Sequence, residues 1–223
     1  ELHRYATGQG IRIAVIDSGV DADHPDLRGQ VAINRNFVDA GPPLAETHGT
    51  EVAGIIAARA GNGIGIAGIA PKARLLALRA CWQQGAASAQ CNSFTLAKAL
   101  QFAISNKAQV LNLSLGGAPD VLLARLLDVA LQRGITVVAA VDPRLDGGGF
   151  PASHPGVLAV TGTQSGATDT PAFRVAGNGV PAPIPGGGWT VVDGSSFAAA
   201  QLSGLVALVR QRAPRLENAP MRA

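Results

Sequence analysis

Residues 11–19 read Ile11-Arg12-Ile13-Ala14-Val15-Ile16-Asp17-Ser18-Gly19, a short apolar run that stops on an acid and a turn. The run predicts a buried strand, and Asp17-Ser18-Gly19 predicts the turn that ends it. Further strands are predicted at 75–78, 110–115, 135–141 and 157–160, with shorter ones at 173–175 and 189–192. Between them lie segments with apolar or small residues at helical spacing. In 48–60 these are Val52, Ala53, Ile56 and Ala57. In 94–104 they are Leu96, Leu100 and Ile104, with Asn92 or Ser93 as N-cap. Residues 120–133 form a third predicted helix, stopped by Gly134. Residues 196–211 are apolar nearly all round, which predicts a helix enclosed in the middle of the protein. Near-continuous apolar strands alternating with helices define an α/β fold, with a mostly parallel sheet and helices on both faces. In such folds ligands gather beyond the carboxyl ends of the strands, where Asp17, Ser114 and Asp142 are expected.

The chain of 223 residues is 47% hydrophobic and 15% charged, enough apolar material for one packed domain spanning 1–223. Its net charge is +3, with no basic stripe interleaved with aromatics, so nucleic-acid binding is not expected. Arg210, Arg212 and Arg215 are expected on a solvated helix end. No apolar run reaches the length of a membrane span. Cys81 and Cys91 lie in a Gly-, Ala-, Gln- and Ser-rich stretch, where a disulfide is favoured over two free thiols. A disulfide points to an oxidising compartment. Two cysteines alone cannot hold a tetrahedral metal site. Gly63, Gly65 and Gly68 spell a dinucleotide fingerprint, but they follow a helix and run into Pro71 and a strand, so that reading is rejected.

Three segments carry chemistry. They are Val15-Ile16-Asp17-Ser18-Gly19-Val20 with His24-Pro25-Asp26-Leu27, then His48-Gly49-Thr50-Glu51-Val52-Ala53-Gly54, then Gly194-Ser195-Ser196-Phe197-Ala198-Ala199-Ala200. A serine hydroxyl needs a base to become a nucleophile, histidine can serve at neutral pH, and a carboxylate fixes the tautomer of the ring. Singly, each residue reads as a turn, a surface histidine or a helix cap. In this order the three segments resemble the Asp, His and Ser signatures of the subtilisin-like serine protease (subtilase) family. Gly68-Ile69-Ala70-Pro71 and Leu111-Asn112-Leu113-Ser114-Leu115-Gly116-Gly117 extend the resemblance across most of the chain.

The resemblance implies a subtilisin-like three-layer fold and a serine endopeptidase acting through Asp17, His48 and Ser196 and an acyl-enzyme intermediate. Ser196, opening the enclosed helix, also offers its backbone N–H to an oxyanion. Ser114, Leu115 and Gly116 resemble the strand that pairs with an extended peptide substrate. The region from Phe150 to His154 resembles a specificity-pocket wall, with His154 a loop residue. Asp26 and Asn62 are candidate ligands of a calcium loop, against the alternative of a Gly-rich turn without metal. No cofactor is required. The expected partner is a polypeptide substrate, the expected state a monomer, and the expected location secreted or periplasmic, with a pro-segment removed or omitted.

The sequence also departs from the family. Glu51 stands where a second histidine is usual, a change expected to stay local. Ala200 and Gln201 replace the usual Pro and the frequent His. The usual oxyanion-hole Asn, after the strand at 135–141, is replaced: the segment reads Val141-Asp142-Pro143. Pro143 has no donor, and Asp142 donates only when protonated. An endopeptidase, slowed or tuned to acid, and a peptide-binding relative with little turnover both stay open.

Overall fold

The structure is a computed structural model that describes residues 2–84, 88–164 and 171–214. The opening strand, β1 (Arg12–Asp17), lies in the interior of a seven-stranded sheet. The other strands of the sheet, in chain order, are β2 (Val31–Asn36), β3 (Arg74–Arg79), β6 (Val110–Leu113), β7 (Thr136–Ala140), β8 (Leu158–Gly162) and β9 (Phe173–Val175). The spatial order is β2-β3-β1-β6-β7-β8-β9, and every pairing is parallel. Two antiparallel ribbons stand apart from it, β4 (Cys81–Gln84) with β5 (Ser88–Cys91), and β10 (Val180–Ile184) with β11 (Gly188–Val192).

The run in β1 is apolar without interruption because both of its faces are covered. Ile13 and Val15 point into one core with α1 (Thr47–Ala57) and α4 (Ser195–Arg212). Ala14 and Ile16 point into the other, with α2 (Ser93–Ser105) and α3 (Val121–Gln132). Strand side chains alternate, so each apolar position serves one layer or the other. Asn92 caps α2 and Asp120 caps α3, each accepting a backbone N–H at 2.9 Å. Gly134, with φ of 74°, takes the left-handed turn that ends α3.

Cys81 and Cys91 face each other across the β4–β5 ladder and form the expected disulfide. The strand β2 was not foreseen. It is a half-buried edge strand, Val-Ala-Ile-Asn-Arg-Asn, whose polar residues hide the signal. Nor was β10 foreseen, because Pro181 and Pro183 argue against a strand. They alternate with Val180, Ala182 and Ile184 in a two-stranded ribbon, where missing donors are tolerated.

The arginines at the end of α4 correct an expectation. Arg212 is not in the core, but Arg210 is 7% exposed, and Arg215 lies outside the described residues. Arg210 donates from Nε to Thr136 Oγ1 at 2.9 Å and from Nη2 to the Gly134 carbonyl. Burial lowers its pKa. At the next residue, Gln211 Oε1 accepts the backbone N–H groups of Thr7, Gly8 and Gln9, at 2.8, 2.7 and 3.2 Å, tying the start of the chain to α4.

Candidate active site

Asp17 ends β1 and is 3% exposed. Its Oδ1 accepts the backbone N–H of Ser18 at 2.7 Å and Nδ1–H of His48 at 2.8 Å. An ionised carboxylate only accepts, so this contact puts the histidine proton on Nδ1 and leaves Nε2 as the basic nitrogen.

His48 sits in the first turn of α1, and the helix packs hard against the Asp17 turn. Gly49 donates its N–H to Ser18 Oγ at 3.0 Å. A Cβ at Gly49 would come within 2.4 Å of the Ser18 carbonyl oxygen, so only glycine permits this approach. Glu46, just before α1, fastens the same corner. It accepts from Gly19 N at 2.6 Å, Gln83 N at 2.9 Å and Arg79 Nε at 2.7 Å. Neither Glu46 nor Arg79 was singled out in the sequence. They are 33 residues apart, and no local pattern announces their pairing.

Burial works against a charged His48, but the Asp17 charge and hydrogen bond, with the Glu51 charge, outweigh it and raise its pKa. Glu51 is itself pushed up, first by burial and then by Asp17, against a downward pull from His48.

Ser196 enters from the far side, in the first turn of α4. Gly194 precedes the helix as its N-cap residue, with a φ of 145° that suits only glycine and an N–H that reaches the Gly177 carbonyl at 2.7 Å. Helix geometry gives the N–H of Ser196 no acceptor within its own helix. Two crossed bonds join α4 to the end of β6. Ser114 Oγ donates to the Ser196 carbonyl at 2.8 Å, and Ser196 Oγ donates to the Ser114 carbonyl at 3.1 Å. Behind them, buried Asn112 donates to Ser114 Oγ at 2.9 Å and accepts from Ser203 Oγ at 3.2 Å. The hydroxyl of Ser196 is therefore turned to the strand carbonyl and not to His48.

Asp17, His48 and Ser196 all line one open cleft of about 830 Å³. Ser114, Leu115 and Gly116 line it too, as do Phe150 and Phe197. The Phe197 ring lies 5.6 Å from His48, centroid to centroid. Leu115 and Gly116 make no backbone hydrogen bond to another described residue, whereas Gly117 bonds Phe150 in both directions. The strand edge before Gly117 is thus open for pairing with an extended chain. His154 lies away from the cleft, with Nδ1 donating to the Pro155 carbonyl at 2.9 Å.

Three residues expected at sites, Asp142, Asp26 and Asn62, make other contacts. Asp142 does not line the cleft. Its carboxylate is held by Arg144, from Nε at 2.9 Å and Nη2 at 2.8 Å, and the Arg144 hydrogen bond is the main cause of its lowered pKa. With both of its oxygens accepting from Arg144, the carboxylate presents no proton to an oxyanion in this arrangement. Asp142→Asn is expected to change kcat/KM by no more than about twofold as long as Arg144 keeps the side chain turned away, although its Cβ packs on Gly116. Initial rates on a chromogenic peptide check this; a rise of about 10² would instead place residue 142 at the oxyanion.

Asp26 and Asn62, the calcium candidates, meet, but as donor and acceptor: Asn62 Nδ2 donates to Asp26 Oδ1 at 2.8 Å. Asp26 Oδ2 accepts Ile66 N at 3.0 Å and Trp189 Nε1 at 2.7 Å. With three N–H groups on the carboxylate and no cluster of acidic ligands among the described residues, the pair does not fit a calcium site. The Gly-rich turn at 61–67 is held by these bonds instead.

The parallel sheet between two helical layers, with this cleft at its carboxyl edge, defines a class, and comparison agrees. Residues 8–223 match the Subtilase family of S8 peptidases, and the chain belongs to that family. It is 33% identical to "Subtilisin" of Bacillus pumilus, over 97% of this chain and 82% of that protein. It is also 33% identical to "Subtilisin E" of Bacillus subtilis, of whose length it spans 59%. The "Intracellular serine protease" of Paenibacillus polymyxa is 31% identical over 92% of the chain and 68% of its own length. Among solved structures, Sphericase superposes with a TM-score of 0.83 at 26% identity, covering 97% of this chain and 82% of that one. Fervidolysin from Fervidobacterium pennivorans gives 0.81 at 26% identity, over 99% of this chain and 39% of that one. The fold is subtilisin-like, and family and fold together place the chain among the subtilisin-like serine endopeptidases.

Proposed function

We propose that the chain is a single peptidase domain that hydrolyses peptide bonds of polypeptides, with Ser196 as nucleophile, His48 as general base and acid, and Asp17 as the residue that orients His48. The observation that carries the reading is the 2.8 Å contact from His48 Nδ1 to Asp17 Oδ1, in the cleft that Ser196 also lines. The peptide pairs with the open edge at Leu115 and Gly116. Rotation about the Cα–Cβ bond of Ser196 turns its hydroxyl from the Ser114 carbonyl to His48. Nε2 takes the proton as Oγ attacks the carbonyl carbon. The Ser196 N–H, at the positive end of α4, supports the oxyanion. His48 then gives its proton to the leaving amine, and water, deprotonated by His48, hydrolyses the acyl-enzyme. The chemistry needs no cofactor.

The replaced oxyanion Asn favours a second reading, a peptide-binding relative with little turnover. A missing donor costs about 10²–10³ in rate, which slows the reaction without ending it. A fluorophosphonate probe separates the two. The peptidase reading expects labelling of the unmodified protein and none of Ser196→Ala. An unlabelled protein, or label that persists in Ser196→Ala, overturns it.

The Cys81–Cys91 disulfide supports a secreted or periplasmic location. The family alone does not, since one of its members is named as intracellular. The domain acts as a monomer in this reading.

A further inference from the structure

The cleft is lined by Asp17, Glu51, Asp120 and Asp193, and among the described residues by no lysine or arginine, although the chain carries a net charge of +3. Three of these carboxylates are engaged. Asp17 holds His48, Asp120 accepts Leu123 N at 2.9 Å, and Asp193 accepts Gly179 N at 2.6 Å. Glu51 differs. It is 7% exposed, yet among the described residues no hydrogen-bond donor reaches its carboxylate and no cation lies within ion-pair distance, although the charge of a protonated His48 acts on it. Thr47, His48 and Glu51 lie on one face of α1, three and four positions apart, and all line the cleft.

Glu51 is nine-tenths buried as a residue, and a carboxylate that is only partly hydrated and has no donors is costly unless something else supplies the countercharge. A structural role would show donors, as Glu46 at the start of the same helix does with Arg79, Gly19 and Gln83. A group that enters the cleft with a positive charge removes the penalty. In a polypeptide that group is a lysine or arginine side chain, whose aliphatic stem also suits a cleft walled by Leu96, Leu100 and Leu115. We propose that Glu51 makes this cleft selective for polypeptides with a lysine or arginine side chain close to the bond to be cut. The proposal rests on the cleft being the peptide site of the peptidase described above. It concerns binding, so it can fail independently of turnover.

The test uses the Ser196→Ala protein, which binds without cutting. Fluorescent alanine-rich decapeptides carry one lysine or one norleucine, moved a position at a time, and affinities are read by anisotropy at neutral pH. At one or two positions lysine is expected to bind about tenfold more tightly than norleucine. Adding Glu51→Gln brings that ratio to about one and leaves the norleucine peptides bound as before. Glu51→Leu, which removes the buried polar head altogether, gives a second comparison should Glu51→Gln fold poorly. No position that prefers lysine, or a preference that survives both substitutions, overturns the proposal. Loss of the serine chemistry shows separately in the fluorophosphonate experiment.

Discussion

Asp17→Asn is expected to lower kcat/KM by about 10⁴ while leaving the fold intact. An amide at this position can turn its NH₂ group towards His48, which then accepts at Nδ1 and carries its proton on Nε2, where it cannot take one from Ser196. The other carboxylate oxygen, Oδ2, is buried without a partner, so an NH₂ group placed there has no acceptor, whereas one turned to the histidine gains Nδ1 at the expense of the bond from Ser18 N. The pH profile gives a second reading. His48 titrates above its ordinary value because Asp17, helped by Glu51, overcomes the effect of burial. Only the neutral ring acts as base, so activity falls as pH drops through that raised value. Without the Asp17 charge the pKa of His48 falls, and the acid limb of what activity is left moves to lower pH. Rates from pH 5 to 9 on a chromogenic peptide, normalised to the sites titrated by fluorophosphonate, check both effects. A loss of less than about tenfold, with the acid limb unmoved, would sink the role given to Asp17.

The pieces of this arrangement were unequally legible in the sequence. Ile13, Ala14, Val15 and Ile16 announce a strand covered on both faces because each apolar side chain belongs to one of two helical layers. The helix at 195–212 reads as enclosed because its small and apolar residues run all round it. Such features are local and survive in a string of letters. What joins distant segments does not. Asp142 stands at the end of β7 where a site residue is expected, and only the structure shows its carboxylate drawn to Arg144, two residues on. Arg210 reads as a solvated helix end, and only the position of α4 against β7 shows it bonded to Thr136. Asn62 and Asp26 have the right chemistry for a cation, and the indole of Trp189, 163 residues from Asp26, takes the oxygen that a metal would need. For Arg210 and Asp26 a long-range donor or acceptor decides what the side chain does, and for Asp142 a neighbour two residues on does.

That dependence is sharpest at the corner that holds His48, and Arg79→Leu is expected to show it by lowering stability about 3–5 kcal/mol. Arg79 ends β3 with its side chain 5% exposed, against Glu46 at 11%. It donates from Nε to Oε2 at 2.7 Å and from Nη2 to Oε1 at 3.2 Å, a two-pronged contact in which both carboxylate oxygens are used. The same two oxygens hold Gly19 and Gln83 by their backbone N–H groups. Removing the guanidinium leaves a buried carboxylate with half its donors, between the Asp17 turn and the start of α1. Calorimetry in the Ser196→Ala background, where self-digestion is blocked, should show a melting temperature lower by roughly 10 °C. A further Glu46→Gln change should recover part of the loss, because it removes the stranded charge. The effect must also fade in acid. Burial raises the pKa of Glu46, but Arg79, Gln83 and Gly19 together pull it below its ordinary value of 4.5. The contribution of a group lowered on folding is complete above its unfolded pKa and is lost as pH falls through the folded one. The gap between the parent and Arg79→Leu should therefore narrow as the pH is brought down through that range. A gap that stays constant would assign the stabilisation to the packing of the Arg79 stem rather than to its charge.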